Sequence, residues 1–260
     1  MTRALHAEWT KLRTVPSTGW LLLGTMAATV GVGAAIAGAI HLPACRPGAA
    51  CPADITRLAL YGTRAGQVTV AVLAVLAVTS EYATGLVHLT LAATPRRYQA
   101  FGAKAAATVL AAAAAGVGAV TAAVAVGAWI FAERGYTASR GYGLSLTDPA
   151  TLRAGVGTVI YFGLVALLAA GIAAAVRGGA AALSTVLALL FAFPLAALVT
   201  DATWQRRLHR WSPADAGLNI QATTGLAHLP LTPWTGLAVL AAWAAAAAVL
   251  GALVFRYRDA

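Results

Sequence analysis

The chain has 260 residues, 60% of them apolar and only 10% charged, with a mean hydropathy of +0.77. A soluble domain of this length would need roughly 25% charged residues to cover its surface, so a soluble globular fold is excluded. The net charge of +10 comes from eighteen basic residues scattered through the connections rather than gathered on one face; it speaks for headgroup contact and membrane orientation, not for a nucleic-acid footprint.

The apolar residues come in blocks of about twenty, the length that roughly 30 Å of hydrocarbon demands of a helix. Inside lipid every backbone N–H and C=O must be paired internally, so each block is read as helical. The expected fold is all-α and integral to the membrane: an N-terminal interfacial helix followed by one six-helix transmembrane domain over 20–255.

Residues 1–19 are polar with an amphipathic core. Leu5, Trp9 and Leu12 share one helical face, with His6, Glu8, Lys11 and Arg13 elsewhere around it, as suits a helix lying in the interface. Ser17 or Thr18 can cap the first span, 20–40, which stops before Pro43. A signal-peptide apolar region would be about 7–15 residues; the longer run here favours a retained helix. Cys45 and Cys51 are the only two cysteines and share the next loop. They can form a disulfide if that loop is outside the cell or remain as two thiols, and as a metal pair they leave a tetrahedron half empty.

The second span is 62–80 and the third 105–131. The fourth, 150–176, follows Asp148-Pro149, an N-cap with proline at the first helical position. Arg177-Gly178-Gly179 makes a tight hairpin into the fifth, 180–199, which Pro194 is expected to kink. In the long connection 201–231, Trp204, Leu208 and Trp211 with Arg206, Arg207 and Arg210 beside them read as an interfacial helix, and Ser212-Pro213 caps a second short helix toward Gln221. The sixth span, 233–255, opens on Thr232-Pro233. Trp20, Trp129 and Trp234 fall near span ends, as an aromatic belt would.

Six spans put both termini on one side. Nine basic residues fall on each side of the membrane, so the count itself does not orient the chain; the higher basic density of the shorter connections and an external cysteine loop favour both termini in the cytoplasm of a multi-pass plasma-membrane protein. The abundant Ala and Gly fit close helix packing, and equally a G+C-rich genome.

No Asp, Glu, Lys, Arg or His is expected in a span interior. Proton-coupled carriers and intramembrane enzymes need such groups, and the chain carries no G-x-x-x-x-G-K-[S/T] loop for ATP. It is read as a non-enzyme without a cofactor, so any uphill transport must draw on ATP bound by another polypeptide.

The informative connection is 81–104. Tyr82, Leu86, Leu89 and Ala93 repeat at helical spacing, with Glu81, Thr84 and His88 off that stripe. Thr94-Pro95 then restarts a helix, with Arg96, Arg97 and Lys104 at headgroup level. On the residues alone this is a short amphipathic helix and an elbow, serving either as an interfacial connector or as a contact for a partner.

These residues carry a resemblance. The opening Glu8-Trp9-Thr10-Lys11-Leu12-Arg13-Thr14, the Glu81-Tyr82-x-x-Gly85 segment running into Ala93-Thr94-Pro95-Arg96-Arg97, the Ala214–Gln221 stretch and the Arg258-Asp259 ending are similar to bacterial ABC-2 type transporter permeases. The likeness covers nearly the whole chain and departs at Ala83 and His88, where many relatives carry a basic residue. It implies the membrane subunit of an ATP-binding cassette exporter that moves a drug, antibiotic or lipid-like compound. Its expected partners are a separate ATPase subunit, which binds the ATP, and a second permease chain, identical or not. The resemblance makes the segment after span two a coupling helix, with Glu81, Tyr82, Gly85 and Leu86 docking on the ATPase and Arg96 and Arg97 fixing the elbow. It also makes the last outer loop a partly re-entrant lid, against the plainer reading of a helix lying on the surface. The alternative function is a non-transporting scaffold or sensor that holds a cytoplasmic regulatory partner.

Overall fold

The computed structural model of the chain describes residues 2–41, 53–83, 97–137 and 142–257. Among these it is all-helical. An opening helix α1 (Thr2–Thr14) leads into α2 (Pro16–Ala39); α3 (Ile55–Ala59) is a single turn before α4 (Thr63–Ala83); α5 (Arg97–Glu133), α6 (Pro149–Val176) and α7 (Gly179–Ala197) follow. Then come α8 (Ala202–Trp211), the short α9 (Pro213–Leu218), two 3-10 turns at Asn219–Gln221 and Leu226–His228, and α10 (Pro233–Tyr257). Six of them, α2, α4, α5, α6, α7 and α10, are long and apolar enough to cross a membrane.

Local chemistry sets several helix starts. Asp148 accepts from the Thr151 amide ahead of Pro149, and Ser212 accepts from the Asp215 amide ahead of Pro213. Asp201 does the same for α8 through the Trp204 amide. Such a bond satisfies one of the donors a helix N-terminus leaves open, while proline gives up an N–H that had no partner there. The first apolar helix is an exception to the expected cap: Val15, not Ser17 or Thr18, is its N-cap, with no side-chain bond, and Pro16 starts the helix. Proline's fixed φ suffices where the chain passes almost without a break from α1 into α2.

The helices alternate in direction. The start of α2, the end of α4 and the start of α5 meet at one end of the bundle, where Gly179 at the head of α7 also approaches Thr79. At the opposite end Thr56 of α3 bonds Thr151 of α6, and Arg134 reaches the carbonyl of Ile40. The axis of the bundle is α6, packed against α4, α5, α7 and α10. In its apolar stretch 61% of residues are buried, against 22% in both α2 and α7, which therefore form the periphery. Tyr161, Phe162, Val165, Leu168 and Ala169 of α6 are fully buried in the main core.

Three helices depart from the expected bounds. α5 begins at Arg97 rather than near 105, because its first two turns, although too polar to register as an apolar block, keep helical hydrogen bonding and dock on α1. Lys104 is consequently inside a helix. α4 runs on through Glu81 and Tyr82 to Ala83 instead of stopping at 80. α7 ends at Ala197, within one turn of Pro194, so the proline sits where the helix is finishing. At the 177–179 hairpin the left-handed residue is Arg177 (φ 64°), not a glycine; Gly178 is extended and caps α7.

Candidate functional site

Of the residues proposed to dock a partner, Glu81 and Tyr82 are in the last turn of α4 and Arg97 opens α5. Gly85, Leu86 and Arg96 lie outside the described residues, as do Cys45 and Cys51. The segment thus leaves and rejoins the bundle at the end where α1 docks.

That docking is electrostatic at its centre. Glu8 Oε2 accepts from Lys104 Nζ at 3.1 Å, and Glu8 Oε1 from Lys11 Nζ at 2.8 Å. Lys104 also donates to the Ala77 carbonyl at 3.3 Å, tying α5 to α4. Both Glu8 and Lys104 are nearly buried, with side chains 12% and 10% exposed. The face that α1 turns inward is therefore Leu5, Glu8 and Leu12, while Trp9, expected on that face, stays partly exposed. The sequence placed Glu8 on a solvated face and Lys104 among headgroups; two opposite charges 96 positions apart leave no local pattern.

Glu8→Ala is expected to loosen α1 from the bundle, since a nearly buried ammonium then loses a charged partner. Trypsin should cut after Lys11 or Arg13 about tenfold faster, in line with roughly 1.4 kcal/mol less protection against local opening. An unchanged cleavage rate would show that the pair does not hold the helix.

The opposite end carries a second, larger polar cluster. Asp215 of α9 is 8% exposed; its Oδ1 accepts from Arg64 Nη2 of α4 at 2.9 Å, and its Oδ2 pairs with His209 Nδ1 of α8 at 2.9 Å. One turn along α4, Gln67 accepts from the hydroxyl of Tyr161 on α6, both fully buried. Gln221 Nε2 donates to Thr63 Oγ1 at 2.9 Å and Thr158 Oγ1 at 3.1 Å. Asp54, the N-cap of α3, accepts from the Thr223 hydroxyl at 2.7 Å and the Thr224 amide at 3.1 Å, and Arg153 donates to the Ala222 carbonyl.

These bonds explain why a stretch of chain with Asp, Asn and Gln is buried from Ser212 through Ala222. Asp215 and Gln221 each meet a partner that other helices supply, which is the condition for placing them away from water, while the Asn219 side-chain amide nitrogen is buried without a hydrogen-bond partner. The 201–231 connection divides into two parts. α8 lies on the surface, with Trp204 and Trp211 56% and 68% exposed. The stretch after it inserts between α4, α6 and α10, so closely that the Ala216 carbonyl is 2.1 Å from where a Cβ on Gly236 would stand.

Among the described residues the middles of the spans hold no Asp, Glu, Lys, Arg or His, yet the helices themselves carry Arg64 and Lys104 within a turn or two of their ends, and both are paired inward. The site thus holds two ion-paired anchor points, one near each end of α4. Among the described residues no three His, Cys, Asp or Glu side chains gather as metal ligands would. No protein-family model matches the chain, and no curated protein matches it as a relative.

Proposed function

We propose that the chain is the membrane-spanning permease subunit of an ATP-binding cassette exporter, seated in the plasma membrane with both termini in the cytoplasm. It moves an amphipathic small molecule outward with ATP hydrolysed by a separate subunit. What supports this most is one positional fact: α4 carries the proposed contact residues Glu81 and Tyr82 in its last turn and Arg64, which pairs with the buried Asp215, in its first. A helix is a stiff rod, and α4, with 21 residues, is roughly 30 Å long. Force delivered by an ATPase at its last turn reaches the inserted 212–222 stretch without passing through a flexible link. Between them α4 bears on α6 along its length, so the movement engages the centre of the bundle. The inserted stretch is the lid in this scheme, and its Arg64–Asp215 pair is the contact that the stroke makes or breaks.

The test is co-expression with a candidate ATP-binding cassette ATPase subunit. Alanine at Glu81, Tyr82 and Leu86 together should weaken co-purification of the ATPase by about tenfold or more, the loss of roughly 1.4 kcal/mol of binding. Permease-stimulated ATP hydrolysis in liposomes should fall with it. Association that survives the triple substitution, or cysteine labelling that places 82–97 outside the cell, would overturn the reading.

A further inference from the structure

Under α1 the bundle has a cavity of about 440 Å³, within the range of small-molecule sites, roughly 300–1,000 Å³. Its walls come from α1, the start of α2, the last turns of α4 and the start of α5. Polarity changes along its length. Leu21, Leu73 and Ala107 line the inner part together with Thr18 and Thr108, Leu76 stands at its open side, and Ser80, Lys11 and the Glu8–Lys104 pair stand with Leu12 and Val15 toward the end of the bundle. From Leu73 to Ser80 along α4 is about 10 Å of helix rise.

We infer that this cavity binds an alkyl-chain amphiphile, its chain running inward past Leu76 and Leu73 and its polar head at the ion-paired mouth. The gradient carries the assignment. A wholly polar ligand would strip its water against a lining that is mostly leucine and alanine with only Thr18 and Thr108 to replace it, and a wholly apolar one would leave its end against nearly buried charges. An amphiphile matches both zones in one orientation. Leu76 is 46% exposed and lies where a chain could enter sideways from the leaflet at the α1 end, which no water-filled path is needed to reach. α1 closes the cavity from outside, so the Glu8–Lys104 pair that holds α1 also holds the headgroup zone in shape. The inference rests on the proposed export only for the ligand's fate: the amphiphile is either a resident membrane lipid or the exported compound waiting at the entry side.

The experiment uses the full chain in nanodiscs and a long-chain fatty acid carrying a diazirine near its methyl end. Photolysis should attach the probe to peptides spanning 73–77 and 104–108, and excess unlabelled fatty acid should compete it away. Ala77→Phe and Leu76→Trp, which fill the cavity, should each cut this labelling about tenfold, equivalent to roughly 1.4 kcal/mol of lost binding. Ala188→Phe, on an exposed position of α7, should leave it unchanged. Leu76 is exposed enough that its replacement does not threaten folding. Labelling that does not saturate, or that is equal in all variants, would show ordinary contact with bilayer lipid and overturn the site. Adding the ATPase and ATP separates the two sources: depletion of the probe marks an exported compound, persistence a resident lipid, and either upholds the site. Because labelling needs no ATPase, its failure is distinct from failure of the exporter reading.

Discussion

Replacing Asp215 with alanine should lower the stability of the folded chain by about 3 kcal/mol, the lower end of what breaking a buried ion pair costs. The carboxylate is 8% exposed and serves two partners at once, the Arg64 guanidinium and the His209 ring, each at 2.9 Å. Removing it leaves the Arg64 guanidinium turned into the bundle with its charge unanswered. Both partners are about a third exposed, 32% and 35%, so solvent softens the loss and the upper end of the range is not expected. Asp215→Asn retains the shape and one acceptor, and should cost about half as much. Unfolding in mixed micelles, followed by near-ultraviolet circular dichroism, measures both. Protease access within 212–222 should rise in the same order, because the pair pins that stretch to α4. A change below about 0.5 kcal/mol for the alanine variant, the scatter of ordinary surface substitutions, would mean that the cluster does not anchor the segment.

The second large effect is expected at Gly171. A Cβ built there would stand 2.4 Å from the carbonyl carbon and 2.5 Å from the carbonyl oxygen of Ala247, and 2.6 Å from the amide nitrogen of Ala248. These are backbone atoms of α10 and cannot rotate out of the way. From the other side, a Cβ on Gly251 would meet the Gly171 carbonyl oxygen at 2.6 Å. Ala247 and Gly251 are one turn apart, and this small pair lets α10 lie directly on the central helix. Gly171→Ala should therefore part α6 from α10 and destabilise the chain by about 3 kcal/mol, the upper end for overpacking. Gly31→Ala is the matched control, since nothing lies within 4 Å of its Cβ position. It should leave stability unchanged or raise it by up to about 1 kcal/mol, because alanine restricts the unfolded chain more than glycine does. Equal effects at the two sites would remove the close-packing explanation.

That contrast answers a question composition left open. Abundant small residues were compatible with packing and with genome bias; Gly171, Gly236 and Gly251 are packing residues, while Gly19, Gly31 and Gly102 touch nothing within 4 Å. Spacing could not sort them, because what matters is which neighbour a helix face meets. The same limit explains the inserted stretch. Ser212-Pro213 was readable as a helix start, since a cap is a bond across three residues. Its burial was not, since Asp215 and Gln221 have the composition of an exposed loop until Arg64, Thr63 and Thr158 are brought to them.

The amino-acid sequence by itself determined the class of fold: long apolar blocks, their caps and their prolines act over one or two turns, and hydropathy needs no partner to be read. The inward turn of Glu8 onto Lys104, the depth of Ser212–Ala222 and the cavity beneath α1 were decided only by tertiary structure. Each depends on charges and small residues separated by tens to more than a hundred positions, whose free energy exists only once the helices are side by side.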